Sequence, residues 1–140
     1  MNIQRLSETY SVGGQISEQD FATLAQAGYT QVICNRPDSE VEAHFHAKQM
    51  RVLAEANGLD FAYNPIAHTG MTIKNIESQR ALLSQASGPV FAYCRSGRRS
   101  TMCWSFAMAG QVPTDIILSA TANAGYRFEG LRDQLEAMAG

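Results

Sequence analysis

Short runs of β-branched and aromatic residues alternate along the chain with longer segments in which apolar residues recur at helical spacing. The short runs predict β-strands at Thr30 to Asn35, Phe61 to Ile66 and Pro89 to Tyr93, with a further edge strand over Tyr10 to Val12. The longer segments predict helices at Ser17 to Ala27, Val41 to Ala56, Ile73 to Ala86, Arg99 to Ala109, Pro113 to Ala124 and Phe128 to Met138. At the start of the first helix, Ser17 and Asp20 fit a capping box, and Gly28 follows its end.

This alternation indicates an α/β fold with a mostly parallel central sheet flanked by helices. The chain has no internal repeat or linker, so we expect its 140 residues to form a single domain, 1–140. In open α/β sheets the chemistry gathers at the carboxyl ends of the strands. Three loops are expected at that edge, over residues 35–38, 67–70 and 94–100.

Composition and charge narrow the classes of protein that fit. The net charge is −2, which argues against a nucleic-acid-binding protein and requires any positive site to be local. No apolar run approaches the roughly 20 residues that span a bilayer, so no membrane association is expected. The amino terminus shows no targeting segment, and the three cysteines cannot all pair. We therefore expect reduced thiols and a cytoplasmic location.

The segment that follows the third main strand carries the strongest chemical signal. It reads V-F-A-Y-C-R-S-G-R-R-S-T, so a buried strand delivers Cys94 to its carboxyl end and a helix starts near Arg99. Backbone N–H groups in such a turn form a nest for an anion, and the helix N-terminus adds partial positive charge. Gly97 supplies the backbone freedom that a tight loop needs. The loop amides, or the Ser100 hydroxyl, are expected to donate hydrogen bonds to the sulfur.

Arginines surround the predicted nucleophile. Arg95, Arg98 and Arg99 place three cations within five residues of the sulfur. A thiol beside cations and a helix N-terminus ionises more readily than a free thiol, and the thiolate is the nucleophilic form. Arginine also matches an oxyanion with two parallel donors. We therefore predict that Cys94 and Arg99 are catalytic. The other loop residues are predicted to bind a small anionic substrate: Arg95, Ser96, Gly97, Arg98 and Ser100.

The motif C-R-S-G-R-R-S resembles the active-site loop of the cysteine phosphatases and of the rhodaneses. Four residues separate Cys94 from Arg99, which is the spacing of many rhodanese-type sulfurtransferases, whereas the phosphatase motif has five. Over roughly Tyr10 to Ala109 the chain is similar to the phosphatase-like domain of the beta-lactamase hydrolase-like proteins, once called DUF442. Two stretches carry this resemblance, Y-S-V-G-G-Q-I-S-E-Q-D-F-A-T-L-A-Q-A-G-Y-T-Q-V-I-C-N-R-P-D-S-E and G-P-V-F-A-Y-C-R-S-G-R-R-S.

The resemblance implies a dual-specificity-phosphatase-like fold and an association with sulfide-oxidising enzymes. Members of that family are labelled either phosphatase-like or sulfur transferase, and two features of this sequence favour sulfur transfer. The shorter loop suits a persulfide or the end of thiosulfate better than the three equatorial oxygens of a phosphoryl group. The loop A-H-T-G-M-T, where phosphatases of this fold usually place an aspartic general acid, contains no carboxylate.

Sulfur transfer through a Cys94 persulfide, from thiosulfate or a low-molecular-weight persulfide, is therefore the preferred prediction. The alternative is a phosphatase in which Cys94 forms a phosphocysteine and Arg99 clamps the phosphoryl oxygens. A third alternative is a non-catalytic module that binds anions or a partner. The intact set of Cys, Gly, Arg and Ser in the loop argues against that module.

Two residues outside the loop are also candidates for substrate binding. Arg36 leaves a neighbouring strand at the same edge of the sheet, and His68 lies in the loop that lacks a carboxylate, where it could act as a substitute acid. Cys34 and Cys103 fit buried structural positions better than resolving thiols.

Metal and cofactor chemistry are not predicted. His44 and His46 flank Phe45 and point to different faces of their predicted helix, whereas metal sites on helices favour an i, i+4 pair. No third ligand is evident, and no cofactor is expected.

Overall fold

The computed structural model describes residues 1–140 and contains five strands and six α-helices. The strands are β1 (Gln4–Ser7), β2 (Tyr10–Gly13), β3 (Gln31–Cys34), β4 (Asp60–Tyr63) and β5 (Val90–Tyr93). The helices are α1 (Glu18–Gln26), α2 (Ala47–Ala56), α3 (Ile73–Gln85), α4 (Arg98–Met108), α5 (Thr114–Asn123) and α6 (Arg132–Ala139). None of these helices is both long enough and apolar enough to span a membrane.

The strands form one sheet in the order β1-β2-β5-β3-β4, in which only β1 runs antiparallel to its neighbour. The α/β fold with a mostly parallel sheet is therefore confirmed. β5 lies at the centre, where Tyr93 is in register with Gly13 of β2 and with Cys34 of β3. Because the three strands end at the same level, the loops that follow them meet at one edge.

Side chains of β5 alternate between the two faces of the sheet, as the period of a strand requires. Val90 and Ala92 belong to an apolar cluster that includes residues of α3, α4, α5 and α6. Phe91 and Tyr93 belong to a second cluster, packed against α1 and α2 on the opposite face. All four side chains are buried, which explains why this strand reads as a continuous apolar run.

The sequence predictions were wrong at three places, and at one of them the last helix begins at Arg132 and not at Phe128. The segment Tyr10–Gly13 is an inner strand, because Gln4–Ser7 forms an edge strand that the sequence analysis missed. The helix expected from Val41 begins only at Ala47 and is preceded by short 3-10 turns at Asp38–Glu40 and Ala43–Phe45. The Asp38 carboxylate accepts a hydrogen bond from the Ala47 N–H group at 2.8 Å. This contact, which spans nine residues, caps the helix start and could not be read from periodicity.

A buried polar network lies beneath the loops at the carboxyl edge of the sheet. Its centre is Gln79 of α3, which is 0% exposed. The Gln79 amide nitrogen donates to the Tyr10 hydroxyl at 3.0 Å and to Asn35 Oδ1 at 3.1 Å. Its oxygen accepts from the side-chain amides of Asn35 at 3.1 Å and Asn64 at 2.8 Å. One glutamine thus connects β2 with the loops that follow β3 and β4.

Replacing Gln79 with leucine is expected to destabilise the fold by about 3 kcal/mol, because buried amides of Asn35 and Asn64 lose partners in a place that water does not reach. Urea unfolding would measure the change. Gln85→Leu is the matched control, since Gln85 ends the same helix but is exposed, and it should stay within about 0.5 kcal/mol of the parent. Equal stability of the two variants would contradict a structural role for the network.

Candidate active site

Cys94 immediately follows the central strand and is 1% exposed. Its backbone N–H donates to the Gly13 carbonyl at 3.3 Å, which continues the pairing of β5 with β2 by one residue. Its sulfur accepts a hydrogen bond from the Gly97 backbone N–H at 3.1 Å. The backbone amide at the start of α4 therefore points at the Cys94 sulfur.

Gly97 turns the chain from the loop into α4 with a φ of +89°, a conformation that favours glycine. A Cβ atom at this position would collide with the hydroxyl of Tyr126. That hydroxyl donates to the Ser96 carbonyl at 2.8 Å. Because the carbonyl of Ser96 and the N–H of Gly97 belong to one planar trans peptide, fixing the carbonyl outward turns the N–H toward Cys94.

Tyr126 therefore supports the loop, and the sequence analysis missed it as a functional residue. Burial, followed by the charge of Cys94, raises the pKa of Tyr126, so its hydroxyl stays a donor at neutral pH. The loop is also held from within, since the Thr101 hydroxyl donates to the Gly97 carbonyl at 2.7 Å.

Arg99 lies in the first turn of α4 and makes a two-pronged ion pair with Glu40. Its two terminal nitrogens donate to the two Glu40 carboxylate oxygens, each at 2.8 Å. One of them also donates to the Ile66 carbonyl at 2.6 Å. The pKa of Arg99 is raised, first by its hydrogen bond with Glu40 and, to a smaller extent, by Cys94. The guanidinium is thereby held beside the sulfur with donors to spare.

Glu40 is the second functional residue that sequence reasoning missed. It lies in the loop after β3 and also pairs with Arg36, whose Nε is 3.3 Å from a Glu40 oxygen. Arg36 is held further by a hydrogen bond to the Gln15 side chain at 3.2 Å. The structure therefore places Arg36 beside Glu40 and Arg99, and its role in substrate binding stays a prediction. The only sequence signal for Glu40 was its i, i+4 spacing from Arg36.

The remaining predicted substrate-binding side chains line two adjoining recesses at the mouth of the loop. The first, about 320 Å³, is lined by Arg36, Glu40, His68, Arg95 and Arg99. The second, about 310 Å³, shares His68, Arg95 and Arg99 and adds Ser96, Arg98 and several apolar side chains. The Arg98 guanidinium also lies over the Phe128 ring, 4.8 Å from its centroid.

Ser100 lies beneath the site, and its hydroxyl does not bond the sulfur as the sequence analysis expected. This hydroxyl is 0% exposed and donates to Asn35 Oδ1 at 2.8 Å. The backbone carbonyl of Ser100 accepts from the Tyr10 hydroxyl at 3.0 Å. Ser100 therefore joins α4 to the buried polar network, which leaves the Gly97 amide as the donor to Cys94.

The other two thiols occupy structural positions, in line with the sequence interpretation. Burial raises the pKa of Cys34 to about 11 and that of Cys103 to about 12, so both stay protonated at neutral pH. The Cys34 thiol donates to the Arg36 carbonyl at 3.3 Å, and the Cys103 thiol lies 3.6 Å from the Asn75 carbonyl.

Comparison with known protein families places the chain that carries Cys94 and Arg99. The sequence profile of the beta-lactamase hydrolase-like protein, phosphatase-like domain, matches residues 2–111. The chain belongs to this family. A beta-lactamase hydrolase-like protein of Agrobacterium fabrum is 31% identical over 100 residues, which is 71% of this chain and 23% of that protein. The chain therefore spans about a quarter of the length of the curated relatives it matches.

Solved structures extend the similarity of this phosphatase-like domain. A candidate phosphatase from Neisseria meningitidis has 33% sequence identity and a TM-score of 0.83, over 99% of both chains. The structure of Tk-PTP in its active form superposes with a TM-score of 0.76 at 11% identity, over 98% of this chain and 95% of that one. The latter shows the fold alone, and it confirms the expected phosphatase-like architecture.

Glu40→Gln is expected to lower the free energy of unfolding of this phosphatase-like domain by about 1 kcal/mol at pH 7, because the ion pair with Arg99 is lost. The Arg99 guanidinium holds the pKa of Glu40 below its usual value. The stabilisation is therefore fully present above the pKa of the carboxyl in the unfolded chain, about 4.3. It is lost as pH falls through the lower pKa of the folded state.

Urea unfolding of the parent and Glu40→Gln at pH 7, 5 and 3 would test this pH dependence. Glu77→Gln is the control, since Glu77 is exposed and has no ion-pair partner. The gap between the parent and Glu40→Gln should narrow at pH 3. A gap that stayed constant down to pH 3 would show that charge on Glu40 is not what stabilises the pair.

Proposed function

We propose that this chain is a cysteine-dependent phosphatase that acts through a phosphocysteine intermediate. The observation that carries the proposal is the Gly97 N–H aimed at the Cys94 sulfur, 3.1 Å away, at the N-terminus of α4. Membership of a phosphatase-like family and the similarity to the Neisseria meningitidis candidate phosphatase support phosphoryl transfer.

In the proposed reaction, the Cys94 thiolate attacks the phosphorus of a bound phosphoester. The S–P bond forms while the P–O bond to the leaving group breaks, and the electron pair goes to that oxygen. Arg99 and the loop amides neutralise the charge on the phosphoryl oxygens. Water then attacks the phosphocysteine, which releases inorganic phosphate and a proton and restores the thiolate.

Sulfur transfer, which the sequence analysis preferred, is the second candidate. Family membership supports phosphoryl transfer instead, and nothing in the family's description points to sulfur transfer. Two observations still favour the second candidate. Only four residues separate Cys94 from Arg99, and the loop from Ala67 to Thr72 carries no carboxylate. The expected association with a sulfide-oxidising enzyme stays a prediction.

Glu40 does not replace the missing acid. It is a carboxylate at the mouth of the loop, but its lowered pKa and its pairing with Arg99 keep it ionised at neutral pH. The proposed phosphatase therefore works best on leaving groups that depart without taking a proton.

The test offers the purified protein p-nitrophenyl phosphate in one assay, and thiosulfate with cyanide in the other. We expect phosphate release that falls at least about a thousandfold in Cys94→Ser, because the nucleophile is lost. Cys103→Ser is the matched control, since it makes the same substitution at a buried thiol outside the site, and it should retain activity. Cys94-dependent formation of thiocyanate without phosphate release would instead establish sulfur transfer.

A further inference from the structure

The mouth of the site is strongly cationic in a chain whose overall charge is negative. Arg36, Arg95 and Arg99 line one recess together with His68, and Glu40 is the only acidic residue there. The whole chain has a net charge of −2. Since Glu40 can offset only one of the three guanidinium charges, the recess keeps an excess of about two positive charges. That excess fits a substrate with more than one anionic group near the reacting phosphorus.

Arg95 is the arginine in this recess whose side chain has no hydrogen-bond or ion-pair partner within the protein. Its side chain is exposed and takes part in none of the hydrogen bonds or ion pairs of the structure, in contrast to Arg36 and Arg99, which both bind Glu40. His68, exposed on the facing loop, makes no hydrogen bond either. Both side chains are therefore free to donate to a ligand without breaking an internal contact.

The same site provides no carboxylic acid to protonate a leaving alcohol. The loop after β4 has no Asp or Glu before α3, and Glu40 is held as a carboxylate by Arg99. A leaving group must then carry its own negative charge on departure. A phosphate group does so readily, whereas an alkoxide does not. The absence of a carboxylic acid and the surplus of cations point to the same kind of leaving group.

We propose that the substrate is a phosphoanhydride, whose terminal phosphoryl group occupies the Cys94 loop while the adjacent phosphoryl group contacts Arg95, His68 and Arg36. This inference rests on the proposed phosphatase function. The Cys94 sulfur bonds to the terminal phosphorus, the anhydride P–O bond breaks, and its electron pair stays on the oxygen of the second phosphoryl group. That group, which already carries a proton on another oxygen at neutral pH, leaves as hydrogen phosphate without taking a proton from the protein, and water then releases the first phosphate from Cys94.

Three substrates separate the requirements. Inorganic pyrophosphate has both a second phosphoryl group and a good leaving group. In p-nitrophenyl phosphate the leaving group has a similar acidity, but the second phosphoryl group is missing. The leaving group of glycerol 2-phosphate is an alcohol, which needs a proton. We expect kcat/KM to be about tenfold to a hundredfold higher for pyrophosphate than for p-nitrophenyl phosphate, with glycerol 2-phosphate lowest. Turnover of glycerol 2-phosphate at a comparable rate would show that a general acid operates and would overturn the inference.

The variant Arg95→Gln directly tests the proposed contact with the second phosphoryl group. The variant should lower kcat/KM for pyrophosphate by about tenfold more than for p-nitrophenyl phosphate, because only pyrophosphate has a second phosphoryl group that contacts Arg95. Arg5→Gln is the control, an exposed arginine on the edge strand, and it should leave the ratio of the two substrates unchanged. An equal effect of Arg95→Gln on both substrates would overturn the inference while leaving the phosphatase function intact.

Binding provides a readout that is independent of turnover. Calorimetry with Cys94→Ser should show pyrophosphate binding at least about tenfold more tightly than inorganic phosphate, and Arg95→Gln in the same background should remove most of that preference. Equal binding of the two anions would overturn the inference. If Cys94→Ser turned over all three substrates as fast as the parent does, the proposed phosphatase function itself would be refuted.

Discussion

The buried hydrogen bond from the Ser100 hydroxyl to Asn35 fixes the helix of the active-site loop to the neighbouring strand. Asn35 is bound in turn by Gln79, which reaches Asn64 and Tyr10. Each of these polar groups is shielded from water, so a break at one point leaves unpaired donors and acceptors at several others. This coupling holds β2, the carboxyl ends of β3 and β4 and the start of α4 in one geometry, which positions the loop that carries Cys94 and Arg99.

Above this network the site holds more positive than negative charges. Arg36 and Arg99 share the single carboxylate of Glu40, which keeps two guanidinium groups close together despite their repulsion. The two-pronged contact uses one side of the Arg99 guanidinium, while its remaining donors can serve an incoming oxyanion. Glu40 therefore orients Arg99 and lowers the local positive charge without cancelling it. An anion that enters the loop meets a guanidinium whose rotation is already restricted.

Local sequence signals predicted the parts of the fold and site that are built from neighbouring residues. The β5 strand, the tight turn at Gly97 and the approximate start of α4 are encoded within residues 89–100, and the capping residues of α1 lie within four positions of one another. Glu40 could not be found in this way, because its partner Arg99 is 59 residues away in sequence. The start of α2 depends on Asp38, nine residues before Ala47, and the edge strand β1 has only one buried side chain, Leu6, so no apolar run marks it in the sequence.

The Gly97 N–H donates to the Cys94 sulfur, and its orientation depends on a residue outside the segment that matches the family, residues 2–111. Tyr126 lies beyond residues 2–111, yet its hydroxyl holds the Ser96 carbonyl and so turns the Gly97 N–H toward sulfur. Without that contact, the Ser96–Gly97 peptide could rotate, because glycine tolerates both signs of φ. The sulfur would then lose its hydrogen bond from the Gly97 amide. The segment after α5 thus helps to position the loop around Cys94 through its effect on one peptide plane.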